Sequence, residues 1–354
     1  MSAVLHNPIY RLRSDPDALL ELSLAEKWGD GLPLFPPTDE RVEAMLAATP
    51  RPSTEVVVPE VPPKHGVATV EVIAINAVMA GCEPKHLPLV IAALEAIAKP
   101  FYNGFGIGVT TSPVASMLIV NGPTRDEMGI NYRSGCLGGA DGRGSATIGR
   151  AVQLCLRNIG GMRAGESSRT VFGQPARLGG LCFGEWEERS DWPSLAMRRG
   201  FSRAQEVVTV HGGKGTVALA DQNTEDDHDL AYLIAKSMAA PMGNLMLVPL
   251  FTNGEIVVLI NPKWAERFGR TFPKIESFQE FLFENCWQPI ELWPVKNQGY
   301  MHEGGRVDSR GRVYPVTRPD RIQPIVCGGL GGLHGTILPS WGESEMQSVA
   351  TVRR

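Results

Sequence analysis

The sequence predicts an α/β fold, a mixed sheet with repeated strand–loop–helix units preceded by a Pro-rich N-terminal arm. Three observations carry this expectation. Short apolar strands (Met117-Leu118-Ile119-Val120, Ile256-Val257-Val258-Leu259-Ile260 and Pro324-Ile325-Val326-Cys327) alternate with amphipathic stretches of helical period. The first two strands each end in Asn and are followed by Pro, at Asn121-Gly122-Pro123 and Asn261-Pro262. An acidic segment and a glycine then follow, at Glu127 and Gly129 and again at Glu266 and Gly269, which reads as a degenerate internal duplication. Third, 39 glycines and 27 prolines fall in clusters rather than low-complexity runs, so the chain carries many tight loops.

The elements follow in order. Residues 1–66 form the arm: a short helix from Asp17 to Lys27, the turn Trp28-Gly29-Asp30-Gly31-Leu32-Pro33, and a helix from Asp39 to Ala48 that Thr38 can cap. Residues 67–99 read as two buried helices meeting at Gly81-Cys82-Glu83, although the β-branched residues of the first also suit a strand. Pro84 opens the second and Lys99-Pro100 stops it. Ser145–Ile159, closed by Gly160-Gly161, and Thr224–Met238, with its acidic first turn, are further helices. Asn253-Gly254 between apolar runs signals a hairpin. A break near residue 200 would divide the body into subdomains 67–200 and 201–354.

Bulk properties exclude several function classes. The 354 residues are 43% hydrophobic and 20% charged with net charge −4, which argues against a nucleic-acid surface. Apolar runs reach only about ten residues, too short to span a bilayer, and no apolar signal core opens the chain. The six cysteines are widely spread with no Cys-x-x-Cys pair, which suits free thiols in a cytoplasmic protein.

Chemistry centres on thiols and glycine-rich turns. Cys82 stands at a predicted helix start, where unpaired backbone N–H groups would favour its thiolate. Asn76, on an otherwise apolar helix with Glu71, needs a partner and is a candidate to orient substrate or thiolate. His86 follows Cys82 by four residues, a spacing that would suit an activated nucleophile or two metal ligands. The run Gly135–Ser145 leads into a helix and could hold an anion, with Arg143, Gly144 and Ser145 at its end; it is neither a Walker loop nor a dinucleotide fingerprint. Gly328-Gly329-Leu330-Gly331-Gly332 after Cys327 places a backbone-rich loop and His334, a proton carrier, at a strand's carboxyl end. His211-Gly212-Gly213-Lys214-Gly215 has the same outline but also suits a hairpin tip. Glu185 and Glu187, flanking Trp186, suit a general base, a metal ligand or an exposed strand edge, and Glu225-Asp226-Asp227 suits a helix's first turn.

Three segments together resemble a largely uncharacterised family of bacterial proteins: Asp30-Gly31-Leu32-Pro33 with Pro36-Pro37-Thr38, Ala74-Ile75-Asn76-Ala77-Val78-Met79-Ala80-Gly81-Cys82, and Cys327-Gly328-Gly329 through His334. That family is associated with small proteins carrying a selenocysteine- or cysteine-Gly-Ser-Cys motif. The motif is absent from this chain, so the resemblance implies thiol chemistry with the motif on a partner.

The sequence therefore leads to the expectation of a cytoplasmic enzyme, a thiol-dependent reductase or lyase acting on a small anionic or carbonyl-containing metabolite. Cys82 would be the nucleophile or redox group, with Asn76 and His334 assisting and Asn121, Gly122, Arg143, Gly144, Ser145, Gly328 and Gly329 binding substrate. One alternative is a lyase or hydratase dependent on a divalent metal, with ligands among Cys82, His86, Glu185 and His334. Another is a non-catalytic subunit docking a small thiol or selenol redox protein. The arm suggests a homo-oligomer, because such arms wrap neighbouring subunits.

Overall fold

The computed structural model describes residues 10–13, 15–138, 142–241 and 253–353. Along the arm run α1 (Pro16–Ala25), α2 (Asp39–Leu46) and the antiparallel pair β1 (Val56–Val61) and β2 (Gly66–Thr69). The arm lies on its own chain: Arg150 grips Asp30 through two bonds of 2.7 and 2.8 Å, and Phe35 N–H donates to Met79 O at 3.2 Å. Next come α3 (Val70–Ala80) and α4 (Leu87–Ala98), which resolves residues 67–99 as two buried helices. Thr69 caps α3 by accepting from Val72 N–H, and Gly81 ends it at φ +89°, a left-handed conformation open to glycine.

The body continues through α5 (Gly104–Val109), β3 (Ala115–Asn121), α6 (Arg143–Asn158), α7 (Ala176–Gly179), β4 (Leu181–Gly184), α8 (Leu195–Arg198), β5 (Val207–Gly213), β6 (Val217–Ala220) and α9 (Asp227–Ala239). Asp226 caps α9, accepting from His228 and Asp229 N–H. The last third holds β7 (Ile256–Ile260), α10 (Pro262–Thr271), α11 (Ile275–Asn285), β8 (Gln288–Pro289), α12 (Val295–Glu303), β9 (Arg312–Val313), β10 (Ile322–Val326), β11 (His334–Leu338) and β12 (Gln347–Ala350). The first arm of the expected hairpin at Asn253-Gly254 lies outside the described residues; β7 pairs instead with β10 and β11.

Two mixed four-stranded sheets, rather than one, form the centre. Their orders are β12-β5-β3-β4 and β6-β11-β7-β10. The strand period of two assigns each side chain to a face. On the first sheet Leu118, Val120 and Val210 pack into a core with α3, α4 and α6, while Met117, Ile119 and Phe183 face Val257, Leu259 and Ile325 of the second. Val258 and Ile260 turn the other way, onto Leu230, Trp264 and Phe278 of α9, α10 and α11. The result is four layers, helix–sheet–sheet–helix. With both faces covered, β3, β5, β7 and β10 are buried along their whole length, as their near-continuous apolar runs require.

The two sheets share one topology. In each, the central strand (β3 or β7) has a parallel neighbour (β4 or β10) on one side. On the other side lies an antiparallel neighbour (β5 or β11), itself flanked by an antiparallel outer strand. The registers correspond: Val120 pairs with Gly184 and Val208, and Ile260 with Val326 and Gly335. Asn121 thus matches Asn261, and Glu185 matches Cys327. The outer strands are exchanged, β6 leaving β5 to join the second sheet and β12 leaving β11 to join the first. A boundary at residue 200 therefore does not separate the halves, because β5 and β12 both belong to the first sheet.

Candidate active site

A cleft of about 560 Å³ opens where β7 and β10 end, and two thiols lie on its floor. Cys327 directly follows β10, and its N–H donates to Ile260 O at 3.0 Å, continuing the parallel ladder. Gly328 then turns at φ +92° and donates to Tyr132 O at 2.9 Å, joining this strand end to the segment 130–138. That segment is anchored twice more, by Asn131 N–H on Ser145 Oγ at 2.9 Å and Gly184 N–H on Asn131 O at 3.0 Å. It delivers Cys136 to Cys327. The loops approach so closely that a Cβ on Gly329 would stand 2.6 Å from Ser134 Oγ.

The pair is electrostatically unequal. The Cys327 thiol hydrogen-bonds the Cys136 sulfur, and this contact is the largest cause holding the Cys136 pKa below the ordinary thiol value, with the N–H groups of Cys136 and Gly328 helping against the opposing effect of burial. Cys327 is pushed well above that value by the same hydrogen bond, by burial, and by the negative charge of Cys136 and Glu185. Cys136 is thus the more acidic thiol of the pair and Cys327 the one that holds its proton more tightly. His334 lines the cleft as an exposed residue at the start of β11, tied by its carbonyl to Asn261 Nδ2 at 2.7 Å. Gly138, Gly328 and Gly329 line it as well. Residues 139–141 of the expected anion loop lie outside the described residues.

Cys82 is elsewhere. It precedes a short 3-10 turn, Pro84–His86, and is packed in the core of the first half. Burial pushes its thiol up to about 12, against smaller opposing effects from a Thr147 hydrogen bond and the Arg143 charge. The expected helix-start thiolate is overturned by desolvation, which exceeds the field of a helix end here. Asn76 lies under the arm, donating to Val72 O at 2.9 Å and accepting from Asn158 at 2.8 Å. Among the described residues, Asn76 lines the cavity under the arm and His334 the thiol cleft, and Cys82 lines neither.

His86 is a strut. Its Nδ1 accepts from Glu83 N–H at 3.1 Å and its Nε2 meets Met128 O at 3.0 Å, with burial lowering its pKa to about 4. Both ring nitrogens are occupied, so the Cys82–His86 ligand pair fails. Among the described residues no group of three or more His, Cys, Asp or Glu side chains is placed to hold a metal ion.

Several expected substrate ligands are engaged internally. Arg143 donates to Gly81 O and Glu83, and Ser145 Oγ accepts from Asn131 N–H. A Cβ on Gly144 would meet Met128 O at 1.9 Å, so this glycine serves close packing. At the Asn121-Gly122 turn the chain supplies its own anions: Asn121 Nδ2 donates to Glu185 at 2.6 Å and Glu187 at 3.1 Å, and Gly122 N–H donates to Glu187 at 2.8 Å. Glu185 and Glu187 are thus buried in a network with Arg125, not aligned on an exposed edge. His211, expected on a glycine-rich loop, is buried inside β5.

Sequence reasoning missed Cys136 as a reactive group. The available signal was that Cys136 and Cys327 each adjoin a glycine-rich turn; their proximity across 191 positions had none. No family model matches the chain, and no curated protein matches it.

Proposed function

We propose that this protein is a thiol-dependent oxidoreductase that reduces a small disulfide in the cleft between the 134–138 and 327–335 segments. The observation that supports it is the Cys136–Cys327 pair, one thiol depressed and the other elevated, on the floor of that cleft. The Cys136 thiolate attacks one sulfur of the substrate disulfide, forming a mixed disulfide and releasing the first thiolate, which takes a proton from solvent or from His334. Cys327 gives up its proton and attacks the Cys136 sulfur, forming the Cys136–Cys327 disulfide and expelling the second thiolate. Two electrons pass from the dithiol to the substrate, and an external thiol reductant restores the pair. The resemblance to bacterial proteins associated with a Cys-Gly-Ser-Cys or selenocysteine-Gly-Ser-Cys motif favours the same chemistry.

The reading keeps the thiol mechanism expected from sequence and moves its centre from Cys82 to Cys136. Reduction of hydroxyethyl disulfide by the full chain, with dithiothreitol as reductant, tests it. Cys136→Ser abolishes turnover and Cys82→Ala retains it; the opposite pattern returns the mechanism to Cys82.

A further inference from the structure

Resolution of the mixed disulfide leaves one proton to place. The Cys327 hydrogen is bonded to the Cys136 sulfur at rest, and it loses that acceptor's charge once Cys136 is held in a disulfide. The duplicated strand ends offer another acceptor. Glu185 N–H donates to Val120 O at 3.1 Å, prolonging β4 just as Cys327 N–H on Ile260 O prolongs β10. Phe183 and Ile325, two residues earlier on each strand, both pack in the layer between the sheets. By the strand period of two, Glu185 and Cys327 enter that layer from opposite sides. Trp186 N–H on Val326 O, at 2.6 Å, ties the two strand ends together. Leu195, which shares a core with Cys136 and Cys327, donates its N–H to Glu185 Oε2 at 2.8 Å. Asn121 Nδ2 ends on the same oxygen at 2.6 Å, so among the described residues Oε1 is left open to a donor. Burial raises the Glu185 carboxyl above its ordinary value, and the Glu185 charge adds to the Cys136 hydrogen bond and burial in raising Cys327. The other charged neighbours are Arg198 of α8 and Glu187, which act on Glu185 in opposite senses, and Arg125, which holds the Glu185 carbonyl and pairs with Glu187 and Glu188.

We propose that Glu185 accepts the proton of Cys327 when the mixed disulfide is resolved. On the oxidoreductase reading above, on which this role rests, the Cys327 S–H bond breaks and its proton passes to the Glu185 carboxylate. The freed sulfur attacks Cys136 and expels the second substrate thiolate; Glu185 returns the proton when an external thiol reopens the disulfide. One equivalent of dithiodipyridine, mixed with the reduced full chain, tests it: the first thiopyridone leaves as Cys136 attacks, the second as Cys327 resolves. In the parent the second phase changes less than threefold from pH 7.5 to 8.5, because the proton moves between two groups of the protein; with solvent base as acceptor it climbs about tenfold. Glu185→Gln lowers the ratio of second-phase to first-phase rate at least tenfold at pH 7.5 and gives the second phase that tenfold climb. Loss of the carboxylate charge alone eases ionisation of Cys327 and quickens the second phase, so the sign separates proton transfer from a field effect. A tenfold climb in the parent, a second phase unchanged or faster in Glu185→Gln with the parent's circular dichroism, or slowing seen in His334→Ala and not in Glu185→Gln overturns the assignment to Glu185. A parent that shows no second phase, or a first phase that survives Cys136→Ser, overturns the thiol site itself and the role of Glu185 with it.

Discussion

Replacing Cys327 by Ala removes the hydrogen bond that is the largest cause of Cys136 acidity. A hydrogen bond to a charged group contributes about 1.5–3 kcal/mol, and one pKa unit corresponds to about 1.36 kcal/mol. Cys136 in Cys327→Ala should therefore titrate about 1–2 units higher than in the parent. At a pH below both midpoints its thiolate fraction falls about 10- to 100-fold, but a more basic thiolate is the better nucleophile. With a Brønsted coefficient of about 0.45, the net loss in alkylation rate is about four- to twelvefold. The assay follows iodoacetamide labelling of Cys136 by peptide mass spectrometry from pH 5 to 10. This reagent is uncharged, so its approach is insensitive to other titrations. Cys327→Ser keeps a donor in place and should hold the midpoint within about half a unit of the parent, a rescue that repacking alone does not predict. A midpoint in Cys327→Ala within about 0.3 units of the parent, or below it, refutes the claim that Cys327 sets the reactivity of Cys136.

Three further outcomes follow from the structure. Cys82→Ala should leave Cys136 labelling unchanged and cost roughly 1 kcal/mol of stability by urea unfolding, as a small buried group lost from the core; altered labelling would bring Cys82 back into the site. His86 and His211 are both lowered from 6.5 to about 4 by burial, so both are neutral when folded. Their contribution is fully present above pH 6.5 and is lost as pH falls towards 4, about 3 kcal/mol each at most. Urea midpoints measured across that window should fall, and His86→Gln should flatten part of the fall; a level profile contradicts the assignment. Finally, residues 1–200 expressed alone lack β5 and β12, half of the first sheet, and should show no cooperative unfolding transition; a folded fragment would contradict the exchanged outer strands.

Local chemistry was legible in the sequence wherever neighbours along the chain determine structure. Asn261 followed by Pro262 marks the start of α10, and Gly81 and Pro84 mark the break between α3 and α4. The apolar runs of β3, β7 and β10 identify buried strands, and the repeated Asn-to-Pro units point to the duplication that the matching sheet registers support. What the sequence could not convey is which surfaces those elements cover. The same run that placed Cys82 near a helix start also surrounded it with apolar residues, and desolvation then outweighs the helix end. Glu185 and Glu187 look like an exposed edge until a second sheet covers them and Arg125 with Asn121 satisfies them. The thiol pair depends on a contact between distant loops, held by Gly328 N–H on Tyr132 O, and no local pattern encodes that closure.

Mild oxidation of the native protein with one equivalent of diamide, followed by trapping of the remaining thiols and peptide mass mapping, tests the pair most directly. All six cysteines are free in the structure, so every pairing is available to be detected. A single new disulfide joining the Cys136 and Cys327 peptides, with Cys82, Cys155, Cys182 and Cys286 still reduced, is the predicted result. Oxidation that leaves Cys136 and Cys327 unpaired, or that joins Cys82 to another cysteine first, would contradict it.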